Sequence, residues 1–212
     1  MRWASRIGAR LAAEGRLKAA LGAGLTAFFC GPYFALQHVA LVEPRRLPLS
    51  ALDRAIGFAP GWVWGYQSVY LLIVLVPWLA TRRDDLRRYA RGFVLLAAAG
   101  FVCFLVYPVD GPRPPDVPRT GMWALLLAYD APRNAMPSLH IGLATYTVLF
   151  GARTLAAEAG ARAGAVWTAV GVLWLAVIAY ATLATKQHYA VDLPPGLAGA
   201  WLAHAWVWRG AR

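Results

Sequence analysis

The sequence has little charge and few acidic residues for its length. Only 15% of its 212 residues are charged, and Asp and Glu together number 10, whereas a soluble domain usually carries about 25% charged residues. So little charge argues against a soluble globular protein. Long apolar blocks fill the chain instead, with 59% hydrophobic residues, and such blocks indicate that lipid is the solvent.

Cysteine and grouped carboxylates are also scarce. Cys30 and Cys103 each lie inside an apolar block, where we expect them to be small buried side chains. The Cys spacing does not fit a metal site, and the carboxylates do not cluster as in a two-metal site. The sequence therefore gives no indication of a bound metal.

Six apolar segments predict an all-α membrane protein with six transmembrane helices, since a span needs about 20 mainly apolar residues. We find no internal repeat and expect one catalytic domain over residues 19–212. The fourth and sixth segments both begin at a polar motif, which makes them the weakest predictions. The segments are Ala19–Val42, Trp62–Ala80, Gly92–Val109, Leu139–Leu155, Ala165–Thr185 and Ala190–Trp208.

Residues 1–18 precede the first span and are basic. A cleaved signal peptide is one interpretation, but the basic region is long, contains Glu14, and leads into an apolar run longer than a signal peptide has. We expect Trp3–Leu17 to form an amphipathic interfacial helix on the cytoplasmic membrane surface.

The formal charge of +11 could indicate a protein that binds nucleic acid. We do not expect nucleic acid as a partner, because the Arg residues lie at the ends of apolar blocks.

The distribution of Lys and Arg predicts the membrane topology. With the N-terminus inside, inner segments hold 14 Lys and Arg and outer segments hold 7. This bias predicts cytoplasmic termini, and it puts the loop Pro108–Ser138 and the connection Lys186–Asp192 on the same outer side. The Ala-, Arg- and Gly-rich composition suggests a bacterial inner membrane, with the site facing the periplasm or exterior.

Two His-bearing segments are the first candidates for chemistry. His188 and Asp192 are spaced i, i+4, so in a helix the carboxylate would hold one imidazole nitrogen and leave the other free as a nucleophile. Pro137 and Ser138 predict the start of the fourth helix, whose N-terminus would bind an anion beside His140, a candidate proton donor. Structural roles remain open: an interfacial His with a capping Asp, and a Ser cap with an interfacial His.

Two cations could hold a phosphate. Arg113 lies in the Pro-rich stretch Tyr107–Pro118, which is too rich in Pro to be helical, and Lys186 lies two residues before His188. Arg offers a planar fork and Lys a point charge. Each could equally be an exposed loop cation. The loop acids Asp110, Asp116 and Asp130 are expected to be solvated.

Together the motifs resemble a known family. Gly111-Pro112-Arg113-Pro114, Pro137-Ser138-Leu139-His140 and His188-Tyr189-Ala190-Val191-Asp192 are similar to the three signatures of the phosphatidic acid phosphatase type 2 superfamily. The resemblance implies that His188 is a nucleophile forming a phosphohistidine, that Asp192 orients it, and that His140 protonates the leaving alcohol. Arg113 and the Ser138 region would hold the phosphate oxygens. No metal and no cofactor are required in that scheme.

The resemblance has two departures. The family usually has a Lys seven residues before the Arg and an Arg six residues before the nucleophile, but this chain has Val106 and Thr182. Lys186 could replace one missing cation. The shortened third motif is more similar to the branch of inositol phosphorylceramide and sphingomyelin synthases, which pass a phospho-headgroup between lipids.

The resemblance implies an enzyme that cleaves or transfers the phosphoester of a phospholipid or lipid phosphate at the outer membrane face. Water resolves the intermediate in a hydrolase, and an alcohol acceptor does so in a transferase. The alternative from another class is a non-catalytic membrane protein that keeps the site to bind anionic lipid.

Overall fold

The computed structural model describes residues 2–39 and 41–209 and is mainly helical. Single-turn 3-10 segments at Pro60–Trp62 and Ala190–Asp192 lead into α4 and α10, and β1 (Arg45–Arg46) pairs in parallel with β2 (Val109–Asp110). The helices are α1 (Arg2–Ala12), α2 (Gly15–Leu36), α3 (Ala51–Ala55), α4 (Val63–Gln67), α5 (Val69–Leu79), α6 (Arg83–Val106), α7 (Gly121–Tyr129), α8 (Leu139–Ala159), α9 (Ala161–Ala184) and α10 (Leu193–Val207).

Four helical stretches in the described ranges are long and apolar enough to cross a membrane: Gly15–Leu36, Pro60–Leu79, Arg83–Val106 and Ala161–Ala184. They match the first, second, third and fifth predicted spans. The helices predicted for the fourth and sixth exist as α8 and α10 but are not among the four. Six spans therefore remain a prediction, as does the interfacial position of the N-terminal helix.

Helix α8 lies at the centre of the bundle, where it packs against α5, α6, α9 and α10. Much of its surface is buried by protein, including the polar side chains of Thr145, Thr147 and Thr154. A helix surrounded by other helices does not need an apolar surface for lipid, and buried Thr and Gly side chains allow close packing. This explains why the sequence predicts a membrane span at α8 only weakly.

The N-terminal ends of α8 and α10 cross very closely. A Cβ atom added at Gly196 would lie 2.4 Å from the Ser138 carbonyl oxygen, and one added at Gly142 would lie 3.2 Å from the Gly196 carbonyl oxygen. Only a residue without a side chain fits at Gly196. Gly196 therefore allows the close packing of α8 and α10, and the crossing brings the two His-bearing segments together.

Polar contacts gather at the two ends of the bundle. At one end, Arg10 pairs with Glu158 at 2.6 Å, and the Lys18 ammonium donates to the Trp78 carbonyl at 2.7 Å. The other end holds the loops 107–138 and 185–192, which contact each other. The two segments predicted to share one side are thus adjacent, while the membrane face that they occupy stays a prediction.

Candidate active site

The Pro-rich loop is held in place by main-chain hydrogen bonds. The Ala135 N–H donates to the Val109 carbonyl at 3.0 Å, and the Gly111 N–H donates to the Pro132 carbonyl at 2.6 Å. The predicted absence of helix from Tyr107 to Pro118 is confirmed. Helix α7, which follows in the same loop, was not predicted.

His188 is buried, with 5% of its surface exposed, and its imidazole is anchored by the main chain. Its Nδ1 lies 2.7 Å from the Ala135 carbonyl oxygen. A carbonyl oxygen only accepts, so Nδ1 carries the proton and Nε2 keeps its lone pair. This is the tautomer that a nucleophilic imidazole needs.

Asp192 also lies beside His188, but farther away than expected. Its Oδ2 is 3.5 Å from His188 Nδ1 and accepts the Tyr189 N–H at 2.8 Å. Residues 188–192 do not form one continuous helix, because Tyr189 is extended and the 3-10 turn begins at Ala190. Asp192 therefore acts on the ring electrostatically, while the Ala135 carbonyl makes the short contact.

His140 lies in the first turn of α8. Ser138 caps this helix, as predicted, by accepting the Ile141 N–H, and the Ser138 N–H donates to the Asp192 carbonyl at 3.0 Å. The latter bond ties the two His-bearing segments together. Leu139 and His140 follow the cap, where helical N–H groups lack intrahelical partners and favour an anion.

Aromatic rings hold the His140 imidazole on two sides. Tyr66 stacks on it with ring centroids 4.0 Å apart, and Tyr70 meets it edge-on at 5.7 Å. Its Nε2 finds no hydrogen-bond partner in the described part of the chain. A buried imidazole nitrogen without a partner is ready to exchange a proton with a ligand.

The two imidazoles lie 6.3 Å apart, measured between ring centroids, and both line one cavity of about 220 Å³. The cavity continues between α2, α5, α6 and α8 as far as Lys18, at the opposite end of the bundle. Its lining is mostly apolar. The shape is that of a hydrocarbon slot that ends at a pair of imidazoles, with lining side chains that include Leu21, Leu25, Phe29, Val69, Ile73 and Phe93.

The side chain of Arg113 is almost inaccessible to solvent, and both edges of its guanidinium make contacts. Its Nη2 pairs with Asp130 Oδ2 at 2.7 Å and its Nη1 donates to the Asp130 carbonyl at 2.7 Å. Its Nε and Nη2 both donate to the side-chain oxygen of Gln187, the residue before His188. Arg113 thus joins the Pro-rich loop to the segment that contains His188.

Asp130 corrects a prediction, since we expected a solvated loop acid. It is buried, and besides Arg113 it accepts the Tyr33 hydroxyl at 2.7 Å. Burial raises the pKa of Asp130, while the charge of Arg113 and the Tyr33 hydrogen bond oppose that rise.

Lys186 holds a different position from the one its predicted role requires. Its ammonium donates to the carbonyls of Asp53, at 2.6 Å, and Ile56. The Asp53 carboxylate in turn accepts the Ala190 N–H at 2.8 Å. Lys186 would have to leave two carbonyls to reach a phosphate, so its role as a phosphate ligand stays a prediction.

A comparison with protein families matches residues 49–206 to the PAP2 superfamily, the phosphatidic acid phosphatase type 2 group. The chain belongs to this superfamily. PAP2 proteins generally catalyse phosphoester hydrolysis or transfer. Searches of curated proteins and of solved structures returned no match, and the synthase branch that the third motif resembles is not shown.

The two departures from the PAP2 motifs have a structural basis. Val106 ends α6 with 59% of its surface exposed. Thr182 is fully buried in α9, and its hydroxyl donates to the Ile178 carbonyl at 2.7 Å. A long cation would not fit the fully buried position of Thr182 without displacing its neighbours, so Arg113 is the motif cation that this PAP2 chain keeps.

Several residues that contact the motif residues were missed in the sequence. Tyr66, Tyr70 and Asp130 meet the motif residues only through the tertiary fold, and no local spacing signals such contacts. Gln187 could have been suspected from its place beside His188. In the described ranges, His, Cys, Asp and Glu side chains form no group of three that could hold a metal ion.

Proposed function

We propose that the protein is a membrane lipid phosphoesterase or phosphotransferase that works through a phosphohistidine intermediate. The observation that carries the proposal is the pair of buried imidazoles at the end of an apolar cavity. Superfamily membership supports a lipid phosphoester as substrate. The positive-inside bias supports a site at the outer membrane face.

The first step forms one bond and breaks one. The free Nε2 of His188 attacks phosphorus and forms an N–P bond, while the bond from phosphorus to the leaving oxygen breaks in line with the attack. Protonated His140 transfers its proton to that oxygen. Nδ1 keeps its proton on the Ala135 carbonyl, which stabilises the charge that His188 gains.

The second step reverses the roles. A hydroxyl group attacks phosphorus, the N–P bond breaks, and His140 accepts the hydroxyl proton. Arg113 and the N–H groups at the start of α8 stabilise the charge on the phosphoryl oxygens. For Arg113 to do so, the phosphate displaces the Gln187 side chain from the Nε edge of the guanidinium.

The lipid tail occupies the apolar cavity in this proposal. Phosphate contacts at the His140 end and apolar contacts along α2, α5 and α6 would hold one hydrocarbon chain parallel to the helices. Because the tail moves from the apolar bilayer into an equally apolar cavity, its burial orients the lipid but adds little hydrophobic binding energy.

The decisive experiment traps the intermediate. Purified protein is mixed with a phospholipid labelled at phosphorus and quenched under alkaline conditions, and we expect acid-labile label on His188. His188→Ala should abolish labelling. His140→Ala should slow it by about 10²- to 10⁴-fold, as expected for a general acid. If neither substitution changes lipid turnover while lipid binding persists, the protein is a non-catalytic lipid-binding protein.

Hydrolysis and transfer differ only in the hydroxyl group that attacks the phosphohistidine, which belongs to water in a hydrolase and to an alcohol in a transferase. Incubating the protein with the same labelled lipid, with and without lipid alcohols, separates them. Label in free phosphate, in a released phospho-headgroup or in phosphatidic acid identifies a hydrolase, and label moved to the added alcohol identifies a transferase.

A further inference from the structure

The charge at the phosphate site is set by a buried ion pair. Arg113 and Asp130 are 6% and 7% exposed and meet at 2.7 Å. A buried pair at this distance cancels most of its own field, because little water separates or screens the two charges. Arg113 therefore offers a phosphate hydrogen bonds but little net positive charge.

Neighbouring residues do not restore that charge. Val106 and Thr182 stand where the family has cations, and the Lys186 ammonium is held by two carbonyls on the α3 side. Protonated His140 adds one positive charge, but Asp192 offsets it with a negative charge 3.5 Å from the His188 ring. The site thus lacks the surplus of positive charge that a doubly charged ligand requires.

One edge of Arg113 is preorganised for a single oxygen. Its Nε and Nη2 both donate to the Gln187 side-chain oxygen, which is the way a guanidinium edge holds a phosphoryl oxygen. The neighbouring edge is occupied by the Asp130 carboxylate and carbonyl. A ligand that replaces Gln187 therefore sits close to the Asp130 carboxylate, and each further negative charge on it is repelled.

From these contacts we infer that Asp130 is a specificity-determining residue that makes the site select phosphodiester lipids over phosphomonoester lipids. A phosphodiester carries one negative charge, whereas a phosphomonoester carries about 1.5 to 2 at neutral pH. The inference rests on the proposed function and names its substrate class: a phospholipid with a headgroup. In the reaction, the headgroup or the lipid alcohol leaves with the proton from His140, and the other substituent stays on the phosphohistidine.

The test compares kcat/KM for two lipid classes with the same acyl chains in mixed micelles. Phosphatidylcholine, phosphatidylethanolamine, phosphatidylglycerol and phosphatidylinositol represent the diesters, and phosphatidic acid represents the monoester. We expect the wild-type protein to favour its best diester by about tenfold or more. Asp130→Asn should raise the monoester-to-diester ratio by about tenfold, because Arg113 regains its charge.

Two controls keep the charge while changing the contacts. Tyr33→Phe removes the other hydrogen bond to Asp130, and Asp130→Glu retains a carboxylate. Both should leave the ratio near the wild-type value even if they lower the absolute rate. A ratio that moves equally in Tyr33→Phe and Asp130→Asn would overturn the inference, because geometry and not charge would then set it.

The wild-type measurement stands even if Asp130→Asn fails to fold. A wild-type preference for phosphatidic acid overturns the inference but leaves the proposed function intact. No turnover and no labelling of His188 with either class would instead refute the proposed function itself.

Discussion

At the scale of single residues, the main chain fixes the protonation of the proposed nucleophile. The Ala135 carbonyl is 2.7 Å from His188 Nδ1, whereas the nearest Asp192 oxygen is 3.5 Å away. In a dyad that depends on a carboxylate alone, an amide in its place leaves the imidazole in the wrong tautomer. Here the carbonyl holds the correct tautomer independently of Asp192.

Replacing Asp192 should therefore be milder than replacing the nucleophile. We expect Asp192→Asn to lower kcat by about 10- to 100-fold, the range for partners that orient a reactive group, because the charge that stabilises the imidazolium is lost but the tautomer is kept. Single-turnover kinetics of phosphohistidine formation measure this. A loss as complete as that of His188→Ala would show that Asp192, and not Ala135, fixes the ring.

The residues that the sequence could indicate are those with strong local chemistry. His140, Ser138 and Arg113 stand in motifs, and the structure brings all three to one end of the bundle with His188. Asp130 was misjudged because an acid in a Pro-rich loop is usually solvated. It is buried beside Tyr33, which lies 97 residues earlier and donates a hydrogen bond to it, and no sequence pattern encodes such a distant contact.

At the scale of elements, the crossing of α8 and α10 positions the two His-bearing segments. We expect Gly196→Ala to lower activity by about 100-fold, since its Cβ would lie 2.4 Å from the Ser138 carbonyl oxygen and must push the helices apart. Gly199→Ala is the matched control on the same helix, because its Cβ would meet only the Leu96 side chain. Equal activity in both variants would show that the spacing at Ser138 is not critical.

The short helix α3 is a second positioning element. Its Asp53 carboxylate accepts hydrogen bonds from the Ser50 N–H and hydroxyl and from the Ala190 N–H, two residues after His188. Burial alone would raise the pKa of Asp53, but these hydrogen bonds and the charge of Lys186 together lower it below its ordinary value of 3.8. The ionised carboxylate therefore holds α3 against the segment 188–192.

The hydrogen bonds of the ionised Asp53 carboxylate predict a loss of stability in acid. The pKa of Asp53 is lower in the folded protein than in the unfolded chain. Its ionised carboxylate therefore adds fully to the free energy of unfolding above about pH 4, and this stabilisation is lost as the pH falls through the folded pKa. Asp53→Asn should cost about 1 kcal/mol near neutral pH, as the loss of a helix cap does. Its Tm in detergent should then fall less steeply in acid than that of the wild type. Asp116→Asn, at an exposed loop acid, should match the wild type throughout.

At the scale of the whole molecule, the sequence predicted most of the helices, because lipid-facing apolar blocks of about 20 residues have few alternative structures. The boundaries were less accurate. Helix α6 begins at Arg83, nine residues before the apolar segment predicted at Gly92, since charged residues extend a helix into water without penalty. Helix α7 was missed because its nine residues are too short to be recognised as a span.

The cavity that runs along the bundle predicts a limit on acyl-chain length. Gly22 lines it near the Lys18 end, about 16 Å from the level of Tyr33 by helical rise, and a Cβ added there meets nothing within 4 Å. Gly22→Phe should fill the slot without strain. We expect turnover of lipids with 16- or 18-carbon chains to fall about tenfold relative to 8-carbon lipids.

Gly24→Phe is the matched control, because Gly24 lies on the same helix in equally open space but does not line the cavity. It should leave the ratio of long-chain to short-chain turnover unchanged. An unchanged ratio in Gly22→Phe would show that the hydrocarbon chain binds elsewhere.

The hydrogen bond from His188 to the Ala135 carbonyl also bears on how such a site tolerates inherited variation. A side-chain partner can be deleted by one point mutation, but a main-chain carbonyl is present whichever amino acid occupies position 135. Only a change in the path of the loop removes it. The shorter of the two contacts to the proposed nucleophile thus depends on the path of the backbone. A comparison of residue identities between diverging sequences would not detect it.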